Sequence, residues 1–459
     1  MKTNRSFKLF SLLVVAVLLL AACGGPATQE APPAVTDAPV ATEVPAAPEA
    51  PAATEAPAAT QPPQAGEAKE LVVWGFVWTA DWLDAIAPQF EAEHPGVKLK
   101  VERFEYEPYQ DMVLTTLASG EGVPDVVTLD PMWAGDLIRG QTVLPLDKAS
   151  TELNVADFVP GGWNMYAWQG VQYGVPLDLD FNLLFYRKDV YEQAMQTLGM
   201  SEFPTNTDDF IKLATEVVKE TGKSALLVDQ GDYYIWYQGF LAPLGGNLIN
   251  DEGTEYVFNN DKGVEALQLY ADLVNKYKVG KLWNFDTDGD VMVAVSAGDG
   301  LGVMRGSWWA TEVAAGAPDQ AGKWGVAPLP WGAAGRPFDA ATGGACLSIP
   351  TNAKEPDLAW EFLKFAMRTE NQIEYYKIVA GVPSLKTSWS DPAFDEVNEY
   401  FGIPLGRKVA EWSLRAMPMQ LPSKEVADLI NEAITKTTTG AATPKEALDE
   451  AQSLTPPLE

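Results

Sequence analysis

Histidine and cysteine are almost missing from this chain: 459 residues carry one histidine and two cysteines. The lone imidazole, His94, leaves little for a multi-histidine metal site. Any Ser-His-Asp or Cys-His centre would have to use it as the base. Basic residues are also scarce, with 32 Lys and Arg against 63 Asp and Glu and a formal charge of −31. Such a chain does not neutralise phosphates, so no nucleic acid partner is expected. What is plentiful is apolar and aromatic: 47% hydrophobic residues and 15 tryptophans, the composition of a globular core. These counts leave a large binding protein, or an enzyme working through carboxylates.

The N-terminus carries Lys2, Arg5 and Lys8 ahead of an apolar run from Leu9 to Ala22. That is the layout of an export signal. The run is short for a membrane span, which needs about 20 residues. It ends Leu20-Ala21-Ala22-Cys23, similar to a bacterial lipobox, in which the cysteine is lipidated and becomes the first mature residue. An ordinary signal peptide beside a chance cysteine is the competing reading. Removing residues 1–22 leaves 29 basic against 63 acidic residues, a formal charge of −34. Only Cys346 then remains as a free thiol, so no intramolecular disulfide can form. Its setting, Gly344-Ala345-Cys346-Leu347-Ser348-Ile349, reads as a buried strand. Residues 24–66 hold ten prolines and fourteen alanines, with no aromatic, lysine or arginine. Residues 23–68 are therefore expected to be a lipidated cysteine and a disordered Pro/Ala-rich linker. At ~3 Å per residue its upper reach is on the order of 130 Å.

From Lys69 onward strand and helix signals alternate. Leu71 to Val77 reads as a buried strand, Asp81 to His94 as a helix and Val97 to Val101 as a second strand. Tyr109 to Ser119 reads as a helix, and Asp125 to Leu129 as a short strand running into Asp130. This order predicts an α/β sheet with ligand chemistry at the carboxyl ends of the strands. Further helices are expected at Thr207–Thr221, Lys262–Tyr277, Pro356–Arg368 and Ser423–Thr435.

A series of motifs in this region resembles the family 1 extracellular solute-binding proteins of ABC importers, which include maltose- and oligosaccharide-binding proteins. The series opens with Leu71-Val72-Val73-Trp74 and the helix end Phe90-Glu91-Ala92-Glu93-His94-Pro95-Gly96. Ala118-Ser119-Gly120 through Pro124-Asp125-Val126 follows, then Tyr173-Gly174-Val175-Pro176 and Leu184-Phe185-Tyr186-Arg187. Pro204-Thr205 through Phe210, Met304-Arg305-Gly306-Ser307-Trp308, Ala359-Trp360-Glu361-Phe362 and Thr443-Pro444-Lys445-Glu446 complete it. The resemblance implies a two-lobed periplasmic-binding-protein-like fold with a hinge and an interlobe ligand cleft. By that analogy one lobe is residues 69–178 plus 344–381 and the other 182–338 plus 386–459. The crossings would lie near Asp178–Asn182, Phe338–Gly343 and Gly381–Leu385. It also implies a monomer with no cofactor, a saccharide ligand, and permease subunits of an ABC importer as partners.

A sugar offers apolar C–H faces and a rim of hydroxyls, so its binder needs aromatic platforms and planar carboxylates or amides. Where the resemblance puts the cleft, the sequence offers Trp74, Trp78, Asp130, Trp133, Asp178, Asp180 and Asn182. It then offers Tyr233, Trp236, Gly306, Trp308, Trp309, Gly343, Gly344 and Arg415. Each has a structural alternative. Trp74 alternates with Val73 in a buried strand. Asp130 suits a helix cap as well as a ligand. Trp308 and Trp309 could open a helix after Ser307, and Arg415 could balance nearby acids. Trp82 and Trp360 lie on apolar helix faces and read as core. Asp286-Thr287-Asp288-Gly289-Asp290 begins like a calcium loop. Its sixth position is Val291 and its twelfth Ala297, so a solvated turn is the better reading and no metal is expected.

Three functions compete. The first is a membrane-tethered, extracytoplasmic receptor that closes on a saccharide and makes no bond. The second is a secreted glycosidase using Asp178 and Asp180, whose Cα atoms would lie about 6–7 Å apart on one face of a strand. The third keeps the receptor but binds a cation, such as a polyamine or betaine, through aromatics and carboxylates.

Overall fold

Residues 69–284, 288–331 and 341–458 are described by the structure, a computed structural model. The expected signal segment, Cys23 and the linker lie outside the described residues. Ten strands form two sheets: β1 (Lys69–Phe76), β2 (Val97–Phe104), β3 (Val126–Leu129), β4 (Val175–Pro176), β5 (Asn182–Arg187), β6 (Leu226–Asp229), β7 (Gly280–Trp283), β8 (Gly302–Gly306), β9 (Trp324–Pro328) and β10 (Cys346–Ser348). The first sheet has the order β2-β1-β3-β10-β4 and the second β7-β6-β8-β5-β9.

The two sheets share one plan. In the first, β1 runs parallel to β2 and β3, and β10 runs antiparallel to β3 and β4. In the second, β6 runs parallel to β7 and β8, and β5 runs antiparallel to β8 and β9. Sequence explains the placement. From Leu71 to Phe76, β1 is apolar apart from Gly75 and almost entirely buried, as a central strand covered on both faces must be. The edge strand β2, Val-Lys-Leu-Lys-Val-Glu-Arg-Phe, puts lysines on its outer face, which discourages pairing with a further strand. Cys346 is fully buried in β10, as its apolar setting predicts.

Helices cover the sheets. The helix Val77–Glu93 starts four residues before the expected Asp81, because the chain turns directly at the end of β1 and buries Thr79 and Ala80. The helix Thr207–Thr221 has the expected bounds. Asn206 caps it by accepting the Asp209 N–H, and Gly222 ends it at a φ of 69°. Trp82 and Trp360 are buried, the former donating its indole N–H to the Asn371 carbonyl at 2.9 Å. The helices Lys424–Thr438 and Pro444–Leu454 pack on Asp261–Asn275, and Pro444–Leu454 begins with a Thr443/Glu446 capping box.

Three chain passages meet between the sheets. Asp178–Leu179 pairs antiparallel with Val382–Pro383, and Asp180 bridges to Gly343. Gly343 and Asp180 exchange backbone hydrogen bonds in both directions. The carboxyl ends of β1, β3, β6 and β8 open towards this junction. The candidate site is built there.

Candidate ligand-binding site

On the second sheet, β6 and β8 lie side by side and end in opposite charges, Asp229 and Arg305. Arg305 Nη2 donates to Asp229 Oδ1 at 3.2 Å, and its Nη1 donates to Asp229 Oδ2 and to the Met304 carbonyl. This guanidinium is nearly enclosed, and the paired carboxylate holds it firmly protonated. Three residues beyond β6, Asp232 caps the short helix Tyr233–Trp236, accepting the Tyr234 and Ile235 N–H groups at 2.9 and 3.1 Å. Burial, reinforced by the Asp229 charge, pushes the Asp232 carboxyl above its ordinary range.

These groups line a cavity of about 520 Å³ together with Asn182, Tyr234, Trp283, Asn284, Asp290, Gly306, Trp308, Trp309 and Glu312. Trp308 is 49% exposed and offers a broad apolar face at its mouth. Trp309, beside it, is 1% exposed and packs edge-on against Phe185 and Trp324. The adjacent tryptophans therefore divide into one platform and one anchor. Asn182 is buried, and its Oδ1 has no hydrogen-bond partner among the described residues.

Asp178 and Asp180 point to opposite sides of the junction. Asp178 Oδ1 accepts the Ala345 N–H at 2.7 Å, and its Oδ2 accepts the Tyr375 hydroxyl at 3.0 Å. Asp180 Oδ1 accepts the Ser307 N–H and hydroxyl at 2.6 and 2.7 Å, and its Oδ2 accepts the Tyr234 hydroxyl at 3.2 Å. Burial raises both carboxyls, Asp178 to about 6. The close packing explains two glycines. A Cβ at Gly343 would overlap the Tyr234 hydroxyl, and Gly344 holds a φ of 112° against the Asp178 carbonyl.

The first sheet contributes a different surface. Trp78, 43% exposed, stacks on Phe76 at 4.9 Å between ring centroids and on Tyr106 at 6.0 Å. Asp130 follows β3 and caps Pro131–Arg139 by accepting the Met132 N–H at 2.8 Å. Burial pushes its carboxyl up to about 7, with only a partial offset from the Met132 N–H and the Tyr106 hydroxyl.

The structure thus gathers Asp180, Asn182, Gly306, Trp308, Trp309 and Gly343 around the second-sheet cavity and the junction. Asp178 and Gly344 lie on the other side of that junction, and Trp78 and Asp130 lie beyond strands of the first sheet. Trp74, Trp133, Tyr233 and Trp236 are buried in the core. Trp74, 7% exposed, packs against Phe104 and Tyr109, and Trp133 against Phe76 and Tyr106. Arg415 is exposed and is not part of the cavity wall. Of the aspartate-rich turn, Asp286 and Thr287 lie outside the described residues. Asp288 accepts the Asn284 N–H and Asp290 caps Val291–Ser296. Sequence reasoning passed over Asp229, Trp283, Asp290, Arg305 and Glu312 as site residues. The available signal was a charged residue at the end of each of two otherwise apolar strands, Leu-Leu-Val-Asp and Gly-Val-Met-Arg-Gly.

Residues 37–373 match the profile of the bacterial extracellular solute-binding protein family. The chain belongs to that family, and its place of work is extracytoplasmic. Among its relatives, the lactose-binding protein of Rhizobium radiobacter is 27% identical, over 82% of this chain and 88% of the relative. The arabinooligosaccharide-binding protein of Halalkalibacterium halodurans is 24% identical, over 73% of this chain and 75% of the relative. Among solved structures, the sugar-binding protein MalE of Xanthomonas citri superposes with a TM-score of 0.72 at 21% identity, covering 84% of this chain and 96% of that one. The GacH receptor of Streptomyces glaucescens GLA.O gives 0.68 at 24% identity, covering 84% and 97%. These likenesses establish the two-lobed fold. The family and its neighbours are binding proteins rather than enzymes.

Proposed function

We propose that the protein is the substrate-binding lipoprotein of an ABC importer and captures a mono- or oligosaccharide between its lobes. One observation carries the reading. An exposed tryptophan, Trp308, stands at the mouth of a cavity whose wall holds carboxylates and a buried amide oxygen without a partner. A sugar needs an apolar face and planar polar groups at that spacing. Relatives named for lactose and for arabinooligosaccharides support the ligand class. Trp78 and Asp130 would meet the ligand from the first lobe, and Asp180 would hold the Ser307 turn that presents Trp308.

Closure would turn on the segments around Asp178–Asn182, Phe338–Gly343 and Gly381–Leu385, of which Phe338–Ala340 lie outside the described residues. The lobes would be residues 69–178 plus 344–381 and 182–338 plus 386–459. A ligand touching both would stabilise the closed form. Cys23 would be lipidated after removal of residues 1–22, holding a monomeric receptor near its permease by residues 24–68. Radiolabelled palmitate incorporation that is lost in Cys23→Ala checks that anchor.

Glycosidase chemistry fits the geometry poorly. Asp178 and Asp180 each spend both carboxylate oxygens on protein donors, which makes them struts rather than a free acid/base pair. A thermal-shift screen of mono- and oligosaccharides tests the receptor reading, because a ligand of the folded state raises the midpoint. No shift from any sugar, or release of reducing ends on a catalytic timescale, would overturn it.

A further inference from the structure

The cavity on the second sheet has an unbalanced wall. Among the described residues, four carboxylates line it, Asp229, Asp232, Asp290 and Glu312, against one cation, Arg305. Asp229 takes that cation in a two-pronged pair, so Arg305 is spent within the protein. The remaining acids keep capacity to accept. Among the described residues, Asp232 and Asp290 each use only Oδ1, for the caps of Tyr233–Trp236 and Val291–Ser296. Glu312 makes no hydrogen bond or ion pair with the described residues and stands at the exposed rim with Asp290. Deeper in, Asn182 Oδ1 is enclosed with no donor, while its Nδ2 faces the Tyr234 carbonyl at 3.4 Å. Exchanging the amide atoms would set two oxygens against each other, so the unpaired group is an acceptor. The phenolic hydrogen of Tyr234 is already given to Asp180.

The wall is therefore rich in acceptors and strongly negative, and the unpaired donor it holds, the Trp309 indole N–H, is neutral. A neutral hydroxyl brings no charge to offset these acids. An ammonium group carries three donors and no acceptor. It also gains from the face of an indole, here the half-exposed Trp308.

We propose that this chamber selects a saccharide bearing a basic nitrogen, an amino sugar whose ring lies on Trp308 while its ammonium faces Glu312, Asp290 and Asp232. The proposal rests on the receptor reading above and specifies its substrate class. The elevated carboxyl groups in the chamber agree with it. Burial and the Asp290 charge raise Glu312, and burial and the Asp229 charge raise Asp232, with Arg305 as the partial offset in both cases. A bound cation would relieve both.

The test is calorimetric titration of the whole soluble chain, at low and at high salt, with matched probes. The β1,4-linked glucosamine disaccharide is compared with cellobiose, and neutral gluco-, galacto- and arabino-oligosaccharides complete the panel. We expect the amino disaccharide to bind at least tenfold more tightly than cellobiose at low salt, with the margin shrinking as salt rises. Glu312→Gln and Asp290→Asn, both at the exposed rim, should each cut that margin several-fold by weakening the amino disaccharide more than cellobiose. Equal or tighter binding of a neutral member overturns the inference and leaves the receptor reading standing. A margin untouched by both substitutions overturns it as well. Failure of every member to bind overturns both.

Discussion

In the first lobe Asp130 follows β3 and caps the helix Pro131–Arg139; in the second, Asp232 follows β6 and caps Tyr233–Trp236. The local device is the same, and a strand-end aspartate before a helix would be unremarkable in either place. Their surroundings differ. Asp232 lies beside the Arg305–Asp229 pair, whereas the charges felt by Asp130 are those of Asp178 and Asp180, all negative. The aromatic surfaces differ in the same sense. Trp78 is backed by Phe76 and Tyr106 in a stack of three rings, while Trp308 stands at the mouth of an acidic chamber. Doubly wound sheets of one plan thus give two unlike candidate half-sites. One is chiefly a stacking surface and the other a charged, partly enclosed one.

The sharpest way to break this comparison is at the junction. Asp180→Ala removes three hydrogen bonds to Ser307 and Tyr234 and should cost roughly 2–4 kcal/mol, read as a lower urea midpoint. Asp178→Ala removes bonds on the other side of the junction, to Ala345 and Tyr375, at a similar cost. Only the Asp180 change should also weaken sugar binding beyond its effect on stability, because Asp180 fixes the Ser307 turn that presents Trp308. If both weaken binding equally, the two carboxylates are not divided between the two sides of the junction as described. Next in size is Trp308→Ala, expected to cost ~2 kcal/mol of affinity, about thirtyfold, for any sugar that raises the thermal midpoint. Trp78→Ala should cost less, ~1 kcal/mol, because Phe76 and Tyr106 leave an aromatic surface behind. A larger loss at Trp78 would reverse the ranking of the half-sites.

Much of this was legible in the sequence. Apolar strands, the Asn206 cap and the Gly222 stop specify Thr207–Thr221 at its observed bounds, because caps are local chemistry. Trp308, which lines the cavity, stands in a motif that the sequence already singles out. The division of labour among tryptophans was only partly so. Trp82 and Trp360 declare themselves core by helical spacing, but Trp133 and Trp236 follow strand ends just as Trp78 and Trp308 do. Whether such a residue faces solvent or packs inward depends on the neighbouring helix, which no local pattern encodes. Arg305 and Asp229 were missed for a related reason. They meet because β6 and β8 are adjacent in the sheet, although 76 residues separate them in sequence.

The pH dependence of stability sharpens the comparison with the smallest expected effect. The Asp130 carboxyl is raised in the folded protein to about 7, from an unfolded value near 3.8. Between those values the folded state holds a proton that the unfolded state has released. Stability from this group is therefore greatest below pH 4, declines as pH rises, and is lost by the time pH passes 7. Asp178, raised to about 6, acts in the same direction over a lower window. The protein should accordingly be more stable at pH 5.5 than at pH 8, with an Asp130 share of ~1 kcal/mol or more. Asp130→Asn retains the helix cap, since asparagine caps as well as aspartate, and removes the titration. It should raise the urea midpoint at pH 8 and flatten the profile. Asp232→Asn also retains its cap but takes a charge away from Arg305, so it should flatten the profile less. Equal flattening by the two variants would mean that Arg305 does not distinguish the half-sites electrostatically.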